Sequence, residues 1–343
     1  MKAIWKWLKI PVFLAVGVGL LVLALKDVDT AEIWKRIQDA NFGWVAVSFL
    51  LGYLAIVSRG LRWNCLLEPI GHRAHPGRSV HAVAFGYFAN LGIPRSGELA
   101  RCTILNQSDD VPVDKLFGTV ILERVIDTLM LGSLLGLAFV LNVDVVDTFF
   151  QELTGSDDPS DGGGSNLLWY LLAGAALGGI LLLVLWKRIV PEGLRTKVEG
   201  FLKGILDGVK SISKLKQRTA FLFHTLFIWA CYVGMSYVCV FAFEETSGLN
   251  LGDGLFLMVA GGLGMLAPAQ GGLGAYHVAV KYAFIALGSA GVLAGVIPDH
   301  EVAEFGVTFA WLVWSSQTLM ILLGGFIGYL VLLMHIRNKQ AQA

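Results

Sequence analysis

Two long apolar stretches of this chain are interrupted by the same short pattern, a proline followed three residues later by a glycine. The first interruption lies at 94–97 and the second at 268–271. Proline and glycine end helices, and non-helical backbone at membrane depth is tolerated only where protein or a water-filled cavity satisfies its polar groups. Paired interruptions in the two halves of a membrane protein are typical of a substrate-binding region. We therefore predict two broken helical hairpins inside a membrane bundle.

Composition indicates an integral membrane protein. Hydrophobic residues make up 55% of the chain and charged residues 15%, and several apolar runs reach the roughly 20 residues needed to cross a bilayer. The formal net charge is zero, so no global attraction to nucleic acid exists and no nucleic-acid partner is predicted. The sequence lacks the spacing patterns of metal sites and phosphate-binding loops, so neither a metal nor a cofactor is expected.

The predicted fold is an all-α, polytopic membrane bundle formed by a single domain over residues 1–343. Its full spans are predicted at 10–26, 43–60, 115–141, 167–187, 219–243 and 304–335. Lysine and arginine collect before the first span, after the second, before the fifth and after the last, so both termini are predicted to be cytoplasmic. Arg59 and Arg62 belong to these flanking cations and are assigned to the cytoplasmic side.

The same topology predicts that 79–108 and 252–298 each return to the side from which they enter. Cytoplasmic segments flank the first and outer segments flank the second. We interpret each as a re-entrant or broken-helix hairpin that carries its interruption at the tip. The two halves of the chain, about 43–141 and 219–335, would then be inverted repeats.

Residues 196–218 have the pattern of a basic amphipathic helix, with apolar residues on one face and lysines on the other. Such a helix is predicted to rest on the cytoplasmic membrane surface, attracted by anionic headgroups. The alternative is a solvated connector that packs on the protein.

Ionisable residues inside the bilayer are costly, and they usually mark functional or tightly paired groups. Those of the first hairpin and the third span are Arg95, Glu98, Arg101, Glu123, Arg124 and Asp127. Glu123 and Asp127 are four residues apart and share a helix face, and Arg124 can reach Asp127 at the three-residue spacing. One interpretation is a salt-bridge cluster that only fixes the hairpin against the span. The other is a cluster that also lines a polar cavity.

Arg95 and Arg101 are the strongest phosphate-binding candidates, because a guanidinium offers bidentate bonds and stays charged where water is scarce. Helix ends at the two interruptions would add free N–H groups that favour anions. The candidates of the second hairpin are Pro268, Gln270, Gly271, Gly272, Gly274, Tyr276, His277 and Lys281. His277 and Lys281 share a helix face. The alternatives are a purely structural role for His277 and a Lys281 side chain that extends to the outer interface.

The combined pattern resembles the flippase-type transmembrane domain of the lysylphosphatidylglycerol synthases. The motifs that carry the resemblance are Arg59-Gly60-Leu61-Arg62-Trp63, Asn90, Pro94-Arg95-Ser96-Gly97-Glu98, Arg101, Glu123-Arg124-Val125-Ile126-Asp127 and Pro268-Ala269-Gln270-Gly271-Gly272-Leu273-Gly274. The resemblance implies a bacterial inner-membrane protein that moves a lipid headgroup between leaflets. It also implies a stand-alone member without the synthase domain that aminoacylates lipid. His277 stands where the family pattern has an acidic residue, which bears on the preferred headgroup charge.

The resulting hypothesis is a lipid translocase that uses no ATP hydrolysis and has no enzymatic activity. Its expected partners are membrane lipids, whether anionic phospholipid, aminoacylated lipid or glycolipid, and a homodimer is kept open. The predicted substrate-binding set unites the interrupted hairpins with the third span: Asn90, Pro94, Arg95, Gly97, Glu98, Arg101, Glu123, Arg124, Asp127, Pro268, Gln270, Gly271, Gly272, Gly274, Tyr276, His277 and Lys281. The alternatives are an accessory protein of an envelope-lipid synthase and a membrane-embedded transferase that uses a carboxylate as base.

Overall fold

The computed structural model describes residues 2–26, 28–93, 95–145, 215–267 and 269–342. All regular structure in these ranges is helical, as predicted. The helices are α1 (Lys2–Ala24), α2 (Thr30–Asp39), α3 (Phe42–Leu67), α4 (Pro76–Gly92), α5 (Gly97–Asp109), α6 (Val113–Leu141), α7 (Arg218–Tyr237), α8 (Leu251–Gly264), α9 (Ala275–Ser289) and α10 (Val302–Gln342). Short 3₁₀ turns follow α3 at Glu68–Ile70 and α7 at Val238–Ala242.

Four of the described helices are long and apolar enough to cross a membrane. They are Phe42–Ile70, Val113–Leu141, Arg218–Ala242 and Val302–Gln342, counting the 3₁₀ turns. They correspond to four of the six predicted spans. The span predicted at 10–26 corresponds to the C-terminal part of α1, the apolar segment Pro11–Ala24. The span predicted at 167–187 and nearly all of the amphipathic segment at 196–218 lie outside the described residues.

Helix α3 is longer than predicted and carries its two arginines into the protein. It continues past residue 60 to Leu67, so Arg59 and Arg62 lie within the helix, and both are buried. They were predicted only as cations that mark the cytoplasmic side, and the structure places both inside the bundle. The physical reason is that carboxylates on α6 neutralise these cations inside the bundle.

Both predicted helix breaks are present. Helix α4 ends at Gly92 and α5 begins at Gly97, while α8 ends at Gly264 and α9 begins at Ala275. Pro94 and Pro268 themselves lie outside the described residues. The order of elements is the same in both parts, a long helix, a broken pair and a long helix. Their relation as inverted repeats stays a prediction.

The broken pair α4–α5, called hairpin 1, packs between α3, α6 and α10, and the pair α8–α9, called hairpin 2, packs against α7 and α10. Buried aromatic residues fill the contact of hairpin 2 with α10, including Phe284, Phe305 and Phe309. Trp63, Leu105 and Leu116 belong to a second core that joins α3, α5 and α6. Through this second core, hairpin 1 packs against α3 and α6, the helices that bear buried charged residues.

A bidentate ion pair closes the base of hairpin 1. Arg78 at the start of α4 donates to both carboxylate oxygens of Asp109 at the end of α5, over 2.7 and 2.8 Å. Asp109 also accepts from the Ser108 hydroxyl and the His75 backbone N–H. Burial opposes ionisation of Asp109, but these hydrogen bonds outweigh it and hold the pKa of that carboxyl below its ordinary value.

Because the pKa is lowered in the folded chain, this pair stabilises the fold at neutral pH and loses its contribution as the pH falls below about 3.9. We expect Asp109→Asn to lower the free energy of unfolding by about 2 kcal/mol at pH 7. The difference from wild type should shrink in acid. Thermal unfolding of the purified chain at several pH values measures it. Asp39→Asn, which makes the same change at an exposed position of α2, is the control, and equal loss in both variants would contradict the assignment.

Candidate functional site

Five buried ionised side chains form one network between α3, α5 and α6: Arg59, Arg62, Arg101, Glu123 and Asp127, together called the buried charge cluster. The Nη1 atom of Arg59 donates to Glu123 Oε1 and to Asp127 Oδ2, each over 2.7 Å. Arg62 donates to Asp127 Oδ1 over 2.8 Å. Arg101 donates to Glu123 Oε2 over 3.1 Å. Three guanidinium groups thus face two carboxylates, which leaves one positive charge in excess.

Helical spacing places these groups. Arg59 and Arg62 lie three residues apart on α3, and Glu123 and Asp127 lie four apart on α6, so each pair occupies one helix face. Both carboxylates meet the same nitrogen of Arg59, in agreement with the predicted shared face. Arg101 approaches from α5 in hairpin 1. The cluster therefore ties the hairpin to two spanning helices.

Neutral side chains complete the network. Tyr232 accepts from Arg59 over 3.2 Å and lies 3.1 Å from the Tyr87 hydroxyl. Thr225 accepts from Arg62 over 3.3 Å. The guanidinium of Arg101 lies 4.7 Å from the ring centre of Trp63, a cation–π contact.

The predicted site did not include six members of this network: Arg59, Arg62, Trp63, Tyr87, Thr225 and Tyr232. A signal for the arginines was present, because they lie three residues apart beside the tryptophan of a recognised motif. Thr225 and Tyr232 are single polar residues in an apolar span. The pattern of neighbouring residues in the sequence does not reveal which side chains such residues contact.

A cleft opens beside the buried charge cluster. Its open space, including the mouth, is about 240 Å³. The residues that line it come from α3, hairpin 1 and α6: Arg59, Val83, Gly86, Tyr87, Asn90, Gly97, Glu98, Arg101 and Arg124. Six of these lining residues were predicted site residues or lie in the motifs that carry the family resemblance. The described residues of hairpin 2 contribute no lining residue.

Arg124 is the most accessible cation of the cleft, with a side chain 47% exposed. Its nearest carboxylate oxygens belong to Glu123 at 3.7 Å, Glu98 at 3.9 Å and Asp127 at 4.0 Å. These distances exceed those of a charge-assisted hydrogen bond. The guanidinium of Arg124 thus forms only long ion pairs with these three carboxylates, and about half of its side chain remains exposed.

Asn90 and Gly97 shape the wall of the cleft. The backbone N–H of Gly97 donates to Asn90 Oδ1 over 2.7 Å, which fixes the start of α5 against α4. A Cβ atom on Gly97 would lie 2.2 Å from the carbonyl oxygen of Gly86. Only glycine therefore allows the two helices of hairpin 1 to approach this closely.

Arg95 lies apart from the other predicted cations. It is exposed at the tip of hairpin 1 with φ of 63°, a left-handed conformation uncommon outside glycine. It does not line the cleft. The structure thus separates Arg95 from Arg101, which the sequence analysis grouped as phosphate ligands.

The tips of the two hairpins touch. The side chain of Gln270 donates to the carbonyl oxygen of Gly92 over 2.7 Å. Behind it, Trp314 of α10 donates to the carbonyl oxygen of Gly271 over 2.8 Å. Gly271, Gly272 and Gly274 all have positive φ, which explains the glycines at this tip.

The other predicted residues of hairpin 2 lie away from the cleft. His277 is fully buried against Trp311 and Trp314, with ring centres 4.4 and 5.4 Å away. Neither of its nitrogens has a hydrogen-bond partner among the described residues. Tyr276 packs over Gly261. Lys281 donates to the carbonyl oxygens of Ala24 and Lys26 over 3.1 Å each, so it binds the C-terminal end of α1.

Residues 10–298, which include every element of the cleft and both hairpins, match the family model of the lysylphosphatidylglycerol synthase TM region. The chain belongs to this family. The resemblance deduced from the motifs is therefore confirmed. No solved structure shows a significant match to the chain.

Three relatives of this chain come from archaea. A UPF0104 membrane protein of Methanothermobacter thermautotrophicus is 23% identical over 89% of this chain and 92% of its own length. A second UPF0104 membrane protein, from Methanocaldococcus jannaschii, is 30% identical over 32% of this chain and 33% of its own length. The Glycosyltransferase AglD of Haloferax volcanii is 24% identical over 85% of this chain. The chain spans only 52% of the length of AglD.

The similarity to AglD corrects one prediction. The chain was predicted to have no enzymatic activity, but a relative that matches most of it bears the name of a glycosyltransferase. The prediction relied on the lack of enzyme signature motifs. The lack of such motifs does not exclude a transfer reaction.

Proposed function

We propose that this chain binds the headgroup of a membrane lipid in the cleft of hairpin 1 and moves it between the two leaflets. The observation that carries the proposal is the buried charge cluster, with one positive charge in excess and an exposed arginine at its edge. Excess positive charge favours a phosphate, and guanidinium groups bind phosphate in bidentate geometry.

The surface next to the cleft suits lipid chains. Phe117 and Ile121 are exposed on α6 and share a helix face with Arg124. An acyl chain can therefore lie along this apolar face while the phosphate contacts Arg124. The polar headgroup would stay out of the hydrocarbon, where an unpaired charge costs several kcal/mol or more.

The finer features of the sequence prediction belong to the same proposal. They are an inner-membrane location, cytoplasmic termini and a cargo that is an anionic phospholipid, an aminoacylated lipid or a glycolipid. The contact between Gln270 and Gly92 supports a role for the two tips in closing the path between leaflets.

The test is lipid movement in liposomes that contain the purified chain and a fluorescent phosphatidylglycerol. We expect Arg124→Ala to slow translocation about tenfold, because it removes a charge-assisted contact to phosphate. Arg124→Lys should retain part of the rate. Lys35→Ala, which removes a cation 70% exposed on α2, is the matched control. Undiminished translocation by folded Arg124→Ala protein would refute the assignment of the cleft.

The similarity to AglD favours a second candidate function, participation in the transfer of a sugar to a membrane lipid. The purified chain would be incubated with a radiolabelled nucleotide sugar and polar membrane lipids. Labelled lipid that depends on the chain would support transfer. Translocation without any labelled product would favour the first proposal.

A further inference from the structure

A second cavity lies on the opposite face of α3 from Arg59. Its open space, including the mouth, is about 940 Å³, larger than that of the charged cleft. It is bounded by the C-terminal end of α3, the connection to α4 and the start of α7. Its polar lining consists of Asn64, Glu68, Arg73, Gln217 and His224. We call it the lower cavity.

The polar groups of the lower cavity are mostly neutral or acidic. Gln217 donates to Glu68 over 2.9 Å. Asn64 accepts from Ser79 over 2.7 Å, and its buried Nδ2 atom has no partner among the described residues. His224 is oriented by a 2.9 Å hydrogen bond between its Nδ1 atom and the Ser58 hydroxyl.

This set of side chains differs from a phosphate site. A carboxylate repels phosphate, and the only arginine of the described lining, Arg73, forms a long ion pair of 3.9 Å with Glu68 and has a side chain that is 89% exposed at the rim. Amides, a carboxylate and an imidazole instead match hydroxyl groups, which both donate and accept hydrogen bonds. The apolar residues Leu61 and Ala220 can pack against the face of a sugar ring.

The lower cavity and the buried charge cluster share two helices, α3 and α7. Ser58 precedes Arg59 on α3, and His224 precedes Thr225, the partner of Arg62, on α7. Consecutive residues of a helix point in different directions, so the two sites share α3 and α7 but occupy different faces of these helices.

We infer that the lower cavity binds a glycosyl group, the hydroxyl-rich headgroup of a glycolipid. The assignment of a lipid-linked ligand rests on the proposed function. The preference for a sugar is argued only from the residues that line the cavity. Glu68 would accept hydrogen bonds from sugar hydroxyls, and Asn64 and Gln217 would bind neighbouring ones.

The test is a titration of the purified full chain with glucosyl-diacylglycerol, followed by native mass spectrometry. We expect Glu68→Ala and Gln217→Leu each to weaken binding of this lipid about tenfold, since each removes hydrogen bonds to hydroxyl groups. Binding of phosphatidylglycerol should not weaken in these variants. Glu244→Ala, in the segment that follows α7 and its 3₁₀ turn, provides a control with the same change of charge as Glu68→Ala.

Competition with free maltose separates the two sources of a glycosyl group. If maltose displaces the glycolipid, the cavity binds the sugar itself. If maltose does not displace it, the site requires the lipid-linked form. Both results support the glycosyl assignment. Unchanged glucosyl-lipid binding in both variants would overturn it. Failure of the Arg124→Ala test would refute translocation through the cleft without affecting this measurement.

Discussion

Replacing Glu123 with glutamine is expected to lower the free energy of unfolding by about 3–5 kcal/mol, because it leaves buried guanidinium groups without their partner. Glu123 is fully buried and pairs with arginines from two different helices, Arg59 and Arg101. Glutamine keeps the size of the side chain but removes its charge. The four buried cysteines allow thermal unfolding to be followed with a thiol-reactive dye.

Glu98→Gln is the matched control, since it makes the same chemical change at the partly exposed edge of the cleft. A second substitution, Arg101→Met in the Glu123→Gln background, should recover part of the lost stability by removing one unpaired cation. A Glu123→Gln protein as stable as wild type would show that the carboxylate does not hold the cluster together.

Gly274→Ala is expected to cost about 2–4 kcal/mol and to loosen α1 from hairpin 2. Gly274 has φ of 74°, which strains any residue with a Cβ atom. That atom would also lie 2.3 Å from the carbonyl oxygen of Gly17 and 2.4 Å from the backbone nitrogen of Leu21. Backbone cannot yield as a flexible side chain can, so the two helices must separate.

Gly291→Ala separates the two causes. Gly291 also has a positive φ, 77°, but a Cβ atom there would meet nothing within 4 Å. We expect this control to cost only the backbone strain, about 1 kcal/mol. Unfolding midpoints of both variants, with proteolysis of α1 as a local measure, test the expectation. Equal effects in the two variants would mean that α1 does not pack closely on Gly274.

The architecture was largely predictable because the signals behind it are local. Hydropathy over about 20 residues identifies spanning helices, and proline and glycine break helices within one turn. The shared face of Glu123 and Asp127 follows in the same way from helical periodicity. These features depend only on near neighbours in the chain.

Arg59 and Arg62 show where local inference fails. Cations at the end of an apolar run usually mark the cytoplasmic side of a membrane protein, which is the basis of their assignment to that side. Here two carboxylates of α6 face them and make burial favourable. No property of residues 43–67 alone reveals those partners.

The sequence by itself determined the membrane class, the two helix breaks and the charged third span, since each arises from residues within a few turns of one another. Only the tertiary structure decided which cations neutralise Glu123 and Asp127, why Arg95 stays outside the cleft and how Lys281 binds the end of α1. Those contacts join residues that are far apart in the chain, 64 positions for Arg59 and Glu123 and 257 for Lys281 and Ala24. Their strength depends on distances of a few ångströms that only the packing of the helices sets.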